Sequence, residues 1–364
     1  MLKLALPKPA INKMTGEKKK VFVALSGGVD SSTAAALLLK AGFDCAGVFM
    51  ITSDRGAAAQ ADAESVAGKL GIKLYVLDLR SEFENILEYF CGEYRRGRTP
   101  NPCVVCNRHI KFGKLWEFAR NNGAQLFATG HYARVLTHNG QAGLYAGADP
   151  AKDQSYALSM IHREVLPNIV LPMGDYSKDQ TRKMAAEFKL GTEHKAESQE
   201  ICFIPNDDYV AALEQRCPEL VQEGNIVDSS GRILGKHSGS HRFTIGQRRG
   251  LRVAMGKPYY VVKIDAETNT VTLGPKQEVM HKKLSVCGTN WLIDKPNAAF
   301  RAMVKIRYND KGAGAAVVPQ GDSVTVEFDK HVAAITPGQL AAFYIAEGEY
   351  MRVAGGGWID KVIE

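Results

Sequence analysis

Two groups of residues in this 364-residue chain have types and spacings that could do chemistry. The first is "ALSGGVDSS", Ala24 to Ser32, where two glycines follow an apolar run and Asp-Ser-Ser opens an Ala/Leu-rich stretch. Gly27 and Gly28 carry no side chains, so backbone N–H groups there can approach an anion closely. Asp30 and Ser31 fall at a predicted helix N-terminus, where the dipole and unpaired N–H groups favour negative ligands. The hydroxyls of Ser26, Ser31 and Ser32 add donors. A capped glycine turn would explain a lone Gly-Gly, but four polar capping groups crowded at a strand's carboxyl end favour a phosphate. No Lys follows the glycines, which excludes a Walker loop. The second group is sulfur. Cys103 and Cys106, in "RRGRTPNPCVVCNRHIKFGKLWEFA", lie in a Pro-rich loop before a helix, amid Arg95, Arg96, Arg98, Arg108, His109 and Lys111. Positive charge and a helix N-terminus both lower a thiol's pKa and favour the reactive thiolate. C-x-x-C beside His109 is also half a zinc site, but no second C-x-x-C completes it. Cys202, in "AESQEICFIPNDDY", reads alone as a buried core cysteine.

The elements that must position these groups change in texture along the chain. From Val21 to about Leu190 the runs "KVFVAL", "CAGVFM", "IKLYVLDL" and "AQLFATG" read as strands, separated by helical stretches such as Ala57 to Leu70 and Glu82 to Arg96. That alternation predicts an α/β domain with a doubly wound, mostly parallel sheet. "SKDQ" at Ser177 predicts a capping box opening a further helix. Beyond about residue 210, "KPYYVVKID", "NTVTLG", "FRAMVKIRYN", "DSVTVEFD" and "LAAFYIAEGEYMRVAGGGWI" alternate between Gly, Asn-Asp and Pro-Gly turns, the pattern of small β domains or barrels. The expected organisation is a tail over 1–19, an α/β catalytic domain over 20–212, a β-rich linking domain over 213–282 and a C-terminal β-barrel over 283–364.

Composition narrows the function. With 45% hydrophobic and 23% charged residues the chain can form sizeable cores. The net charge of +7 suits a polyanionic partner without requiring one. No run approaches a membrane span. The start, "MLKLALPKPAINKMTGEKKK", has a short, proline-broken apolar run, lacks arginine and carries Glu17, so it resembles neither a signal nor a transit peptide; Met14 is an alternative start. Seven cysteines, an odd number, fit a reducing cytoplasm better than a disulfide framework. Cys45, Cys91, Cys217 and Cys287 are expected to be structural.

"SGGVDSS" resembles the pyrophosphate loop of the ATP pyrophosphatase superfamily, whose members split ATP into AMP and pyrophosphate and so adenylate a carbonyl-type oxygen. Taken together, "ALSGGVDSS", "GRTPNPCVVCNRHIKF", "ATGHYAR", "KDQSYAL", "ESQEICFIP", "TIGQRRGL" and "ITPGQLAAFY" resemble the tRNA-specific 2-thiouridylase family in order and spacing from Lys20 onward. The resemblance implies exchange of oxygen for sulfur at C2 of the wobble uridine. It implies that Ala24, Leu25, Ser26, Gly27, Gly28, Val29, Asp30 and Ser31, with Met50 and Gly130, bind ATP, with Mg²⁺ neutralising the phosphates. Cys106 would be the nucleophile and Cys202 the carrier of persulfide sulfur from a donor protein. Asn101, Pro102 and Cys103 would border the target base. His131, Lys152, Asp153, Gln154, Arg307, Tyr308 and Gln339 would contact tRNA.

Bases of a single-stranded loop can be splayed out and read, unlike those of an A-form helix. As a strand, "FRAMVKIRYN" would place Arg301, Lys305 and Arg307 on one face with Val304 and Ile306 on the other. Charged residues are mostly exposed in any case. "GKHSGSHRFTIGQRRGLR" adds further basic groups, and phosphate contacts from such a surface make affinity fall with salt.

Two departures bear on mechanism. Many family members have Asp where this chain has Cys103. Three thiols, Cys103, Cys106 and Cys202, could instead hold a 4Fe-4S cluster with one iron open to sulfide. The segment after Met50 also lacks the family's longer acidic insertion. Two other classes compete: an ATP pyrophosphatase that forms amides, which would not need the paired cysteines, and an RNA-binding protein whose loop merely holds nucleotide and releases no AMP.

Overall fold

The computed structural model describes residues 18–195, 202–204, 208–251, 253, 256 and 258–363. Residues 1–17 of the expected tail, residues 197–201 and 205 of the Cys202 block, and Arg252 of the basic run lie outside the described residues.

The chain begins with strands β1 (Lys20–Ala24), β2 (Asp44–Ile51), β3 (Lys73–Asp78) and β4 (Leu126–Ala128). A hairpin, β5 (Ala133–His138) and β6 (Gln141–Ala146), comes next, then β7 (Ile169–Val170). Strands β1 to β4 and β7 form one parallel sheet in the order β3-β2-β1-β4-β7. Val21, Phe22 and Val23 are fully buried, as a central parallel strand covered on both faces requires. The chain leaves β1 toward β2 and β3 on one side, and β4 and β7 occupy the other. A crevice therefore opens at the carboxyl ends of β1 and β4, the usual ligand position in such sheets.

Helices α1 (Val29–Lys40), α2 (Ala57–Leu70) and α3 (Arg80–Arg95) follow the first three strands. The short α4 (Pro102–Cys106) runs into wide π-type turns over Asn107–Leu115 and then α5 (Trp116–Asn121). Next come α6 (Ser155–Leu158), α7 (Lys178–Glu187) and α8 (Tyr209–Arg216). The capping box expected at Ser177 is present, with Gln180 as its reciprocal partner.

Strands β8 (Gly224–Asp228), β9 (Ile233–His237), β10 (Tyr260–Asp265) and β11 (Thr270–Gly274) form a small sheet in the order β10-β11-β8-β9. The last six strands are β12 (Met280–Trp291), β13 (Phe300–Lys305), β14 (Ala313–Gln320), β15 (Ser323–Ala333), β16 (Leu340–Glu347) and β17 (Tyr350–Ile363). They pair antiparallel around a ring, and the β12–β17 pairing closes it. The result is the expected β-barrel, in whose interior Val304, Val317, Val326 and Phe343 are fully buried.

Two features were not expected. The β5–β6 hairpin of the α/β domain adds to the barrel's sheet, with Tyr145 opposite Arg352 on β17, so the two domains share backbone pairing as well as side-chain packing. Cys91 on α3 and Cys217 after α8, both fully buried and expected to be structural, form a disulfide across 126 residues, although the cysteine count suited a reducing compartment. Phe90, Tyr94 and Leu213 pack around it. Phe203, next to Cys202, lies against Phe83 and Phe90 with ring centroids 5.6 and 5.4 Å away. The cross-link thus fastens the segment after Cys202 to α3. In a Cys106→Ser/Cys202→Ser background, reduction or Cys217→Ser is expected to cost about 2–4 kcal/mol. The check is the urea midpoint with and without reductant; equal midpoints would show that the cross-link does not contribute.

Candidate active site

The first turn of α1 is built for an anion. Gly28 is its N-cap residue and no side chain caps the helix. Ser31 and Ser32 direct their hydroxyls back to the Gly28 carbonyl, at 3.2 and 2.7 Å, and the Ser26 N–H donates to Ser31 Oγ at 3.2 Å. Those bonds shape the loop while leaving its first helical N–H groups without side-chain acceptors. Gly27 has φ +74°, and a Cβ there would lie 2.6 Å from Asp62 Cβ on α2. Gly130, in the loop after β4, sits over the helix end: a Cβ would fall 2.6 Å from Ser31 N and 2.7 Å from Asp30 C. Thus the loop after β4 touches the start of α1 through Gly130, while Gly27 lets the first loop approach α2. Leu25 and Val29 are buried, so they can serve the loop only through backbone, and Met50 stands half-buried near the end of β2.

Sequence reasoning missed the cations of this loop. Lys178, the first residue of α7, donates to both Asp30 carboxylate oxygens at 2.7 and 2.9 Å. The Tyr132 hydroxyl donates to Asp30 Oδ1 at 2.7 Å. Lys195 reaches the Gly27 carbonyl at 3.1 Å and Asp62 at 2.6 Å. The chain therefore brings two lysines to a loop that has none of its own, from more than 140 residues away. "SKDQ" showed only a helix start, and nothing in its local pattern pointed back to Asp30.

The sulfur site is assembled from α4 and the segment around Cys202. Asn101 caps α4 by accepting from Val104 N at 3.4 Å, and buried Pro102 occupies its first position. Cys103 and Cys202 are exposed and Cys106 is buried. The thiols act on one another electrostatically: Cys103 and Cys202 both raise Cys106, and Cys202 raises Cys103. Cys202 is therefore not the core residue it resembled in isolation.

The depressed thiol pKa expected from neighbouring arginines is not found. Burial, the largest influence, pushes Cys106 up to about 11 and also raises Cys103 and Cys202, which open to solvent from low-lying positions. Lys111 is the cation that opposes this at all three. Arg95, Arg96 and Arg98 are spent elsewhere: Arg95 on Glu88 and Glu219, Arg96 on Glu93, and Arg98 on Glu93 and Asp360. Lys111 also joins burial in holding the His131 imidazole neutral, with its Nδ1 2.7 Å from Thr129 Oγ1. Among the described residues no three His, Cys, Asp or Glu side chains group to hold a metal ion.

The barrel holds the loop that leads into α4. Thr99 N donates to Pro337 O at 3.0 Å, and Gln339 Nε2 donates to Thr99 O and Pro100 O at 3.2 and 3.0 Å. Tyr156 OH donates to Leu340 O at 2.9 Å. Gln154 brackets the backbone of Tyr132 with its side chain and its own N–H. Asp153, 7% exposed, accepts from Gly147 N, Ser155 N and Ser155 Oγ and meets Lys305 of the barrel at 3.3 Å. Arg307 and Tyr308 are exposed near that junction, and Lys152 is half-buried. The basic stripe expected on β13 is partly occupied, with Arg301 paired to Asp329 and Lys305 to Asp153. In "GKHSGSHRFTIGQRRGLR", His237 and His241 are buried, while Arg248 and Arg249 remain on the surface.

A nucleotide-type crevice beside clustered thiols, continued by two β domains, defines an ATP-binding sulfurtransferase. Family models agree. Residues 19–206 match the tRNA methyl transferase HUP domain, 211–275 its PRC-barrel domain and 281–359 the aminomethyltransferase beta-barrel domain. The tRNA-specific 2-thiouridylase MnmA of Carboxydothermus hydrogenoformans is 45% identical over 94% of this chain and 98% of its own. That of Syntrophotalea carbinolica is 44% identical over 95% and 100%. The chain belongs to the tRNA-specific 2-thiouridylase family. Among solved structures, a 4-thiouridine synthetase–RNA complex with bound ATP is 19% identical, with a TM-score of 0.37 over 55% of this chain and 51% of that one.

Two outcomes test the site. Lys178→Ala is expected to weaken ATP binding about tenfold or more, since a charge-assisted contact contributes ~1.5–3 kcal/mol, and Gly130→Val is expected to weaken it because a side chain there collides with the α1 turn; calorimetric titration checks this, and unchanged affinity would remove either residue from the site. Alkylation of Cys106 is expected to rise with pH toward about 11. Lys111→Gln should shift that profile to higher pH, because removing a nearby cation disfavours the thiolate.

Proposed function

We propose that this chain performs ATP-dependent 2-thiolation of the wobble uridine in tRNA. Family membership supplies the reaction class. The observation that carries the mechanism is that Cys106, Cys202 and Cys103 stand within electrostatic reach of one another beside Lys111. ATP would lie in the crevice, its phosphates on the N–H groups of the α1 turn, with Lys178 and Lys195 close by. Asp30 and Asp62 are the carboxylates beside the loop and would face Mg²⁺ held by those phosphates, a fit for a hard cation that neutralises phosphate charge.

Uracil O2 leaves badly as hydroxide, so its attack on the α-phosphorus, with pyrophosphate departing, makes a better leaving group. A hydropersulfide on Cys202 then attacks C2 through its terminal sulfur, and AMP leaves with the former O2. The Cys106 thiolate attacks Cys202 Sγ. The bond from that sulfur to the transferred one breaks, thiouridine departs, and a Cys106–Cys202 disulfide remains for a two-electron thiol reductant. If Cys106 attacks the persulfide first, it releases hydrosulfide as the nucleophile for C2 and the same disulfide forms. Burial keeps the Cys106 thiol protonated at neutral pH, so it must lose a proton on substrate binding, and Lys111 favours that step.

Asn101, Pro102 and Cys103 are assigned to the target base. The exposed residues Arg307 and Tyr308, with Lys152, His131 and Gln154, are assigned to the tRNA surface. Asp153 and Gln339 are assigned to joining that surface to the cysteine loop. A 4Fe-4S cluster on Cys103, Cys106 and Cys202 is the competing arrangement, and iron analysis decides between the two. The sulfur donor is a protein persulfide in this reading.

The test is thiolation of a tRNA transcript by anaerobically purified protein with ATP and either a persulfide donor or sulfide, alongside iron analysis. Iron-free protein should thiolate from the persulfide, lose activity with Cys106→Ser or Cys202→Ser, and keep it with Cys103→Ala. Bound iron together with sulfide-supported activity that vanishes with Cys103→Ala would replace the relay by a cluster. Activity surviving Cys106→Ala would favour an amide-forming relative, and tRNA binding without AMP release would favour a non-catalytic RNA-binding protein.

A further inference from the structure

The reverse side of the cysteine helix carries a feature that the reaction does not use. A cavity of about 230 Å³ opens between α3, α4 and barrel strands β12 and β17, lined by Tyr89, Val104, Arg108, His109, Gly288 and Trp358 among others. It is smaller than the ~300–1,000 Å³ of drug-sized sites, and so suits a single ring system. Tyr89 and Trp358 form an aromatic wall, with centroids 5.8 Å apart and planes tilted by 45°. Gly288 keeps that wall open, since a Cβ there would already stand 3.3 Å from Trp358 Cδ1.

The polar side of the cavity is cationic. Arg108 is half-buried and donates through Nη1 to Met160 O at 2.9 Å, a neutral acceptor. His109 and His162 lie near enough for Arg108 to depress both, after burial, and among the described residues Glu164 is the carboxylate that acts on Arg108 in return. A half-buried guanidinium bonded to a neutral carbonyl, with no ion pair among the described residues, keeps donors that an anion would engage. The position is also telling. Val104, Val105 and Arg108 flank Cys106 on one helix, and the Tyr89 hydroxyl accepts from Asn101 N at 3.3 Å. One wall of the cavity is therefore continuous with the loop assigned to the target base.

Resting on the tRNA reading above, we propose that this cavity receives a nucleotide neighbouring the target uridine, its base against Trp358 and Tyr89 and its phosphate on Arg108 and His109. Single-stranded loops are recognised in this way, by bases splayed onto aromatic faces and phosphates held by arginine. Such a contact would grip the strand on one side of α4 while the target base is presented to the thiols on the other.

The experiment measures tRNA affinity across a salt series for the wild type, Arg108→Gln, Trp358→Ala and Trp358→Phe, with ATP affinity and melting temperature as controls on folding. Arg108→Gln should weaken binding and reduce the slope of log K against log salt by about one contact. Trp358→Ala should weaken binding about 5- to 150-fold with the slope retained, and Trp358→Phe should restore most of it. Wild-type affinity in both Arg108→Gln and Trp358→Ala overturns the proposal. So does a loss in Trp358→Ala that Phe does not restore, which would mean a structural role. If inorganic phosphate at matched ionic strength displaces tRNA from the wild type as effectively as from Arg108→Gln, Arg108 holds no phosphate and the proposal also fails. A wild type that binds no tRNA at all would overturn the functional reading itself, an outcome distinguishable from indifferent variants.

Discussion

The uncapped first turn of α1 is the constraint about which the rest of the α/β domain is arranged. Its N–H groups can point at a ligand only because the Ser31 and Ser32 hydroxyls bond back to Gly28 and because no side chain occupies the helix end. Gly130 closes over that turn at a distance no other residue permits, which ties the loop after β4 to the loop after β1. The Asp30 carboxylate, left at the helix N-terminus, is held by Lys178 and Tyr132. Charge, helix dipole and strand order thereby converge on one crevice, and the sheet's parallel order is what brings them there.

The sulfur chemistry depends on a different kind of constraint. A buried thiol is a poor nucleophile until it loses its proton, and burial around Cys106 outweighs the charge of Lys111. In the proposed reaction, activation of Cys106 would therefore fall at substrate binding. The barrel contributes by gripping the backbone of Thr99 and Pro100 through Gln339 and the loop before β16. The buried Asp153–Lys305 contact and the shared β6–β17 pairing fasten the same two domains. A tRNA bound across them would meet the cysteine loop in a position set by both.

The Cys91–Cys217 cross-link completes this arrangement from the other direction. It lies among the aromatic side chains of α3 that also receive Phe203, so the segment carrying Cys202 is secured by packing on one side and by covalent linkage further along. Oxidation state therefore bears on the protein at two pairs of cysteines with different work: one in the proposed reaction cycle and one in the scaffold.

The sequence alone determined the local pieces. Val21 to Gly42 reads as strand, glycine turn and helix because apolar runs, glycines and capping residues act over a few residues, and the Ser177 box and the alternating strands after residue 210 are local for the same reason. The ordered motifs also carried the family, since their order survives in one dimension. Tertiary structure decided which charges meet. Arginines beside Cys106 in sequence point to carboxylates on α3, after α8 and on β17, while lysines from more than 140 residues away reach the phosphate loop. It decided that Cys202 is exposed within electrostatic reach of Cys106, and that Cys91 pairs with Cys217. Electrostatics and solvation depend on distance and burial in space, and neighbours along a chain fix neither.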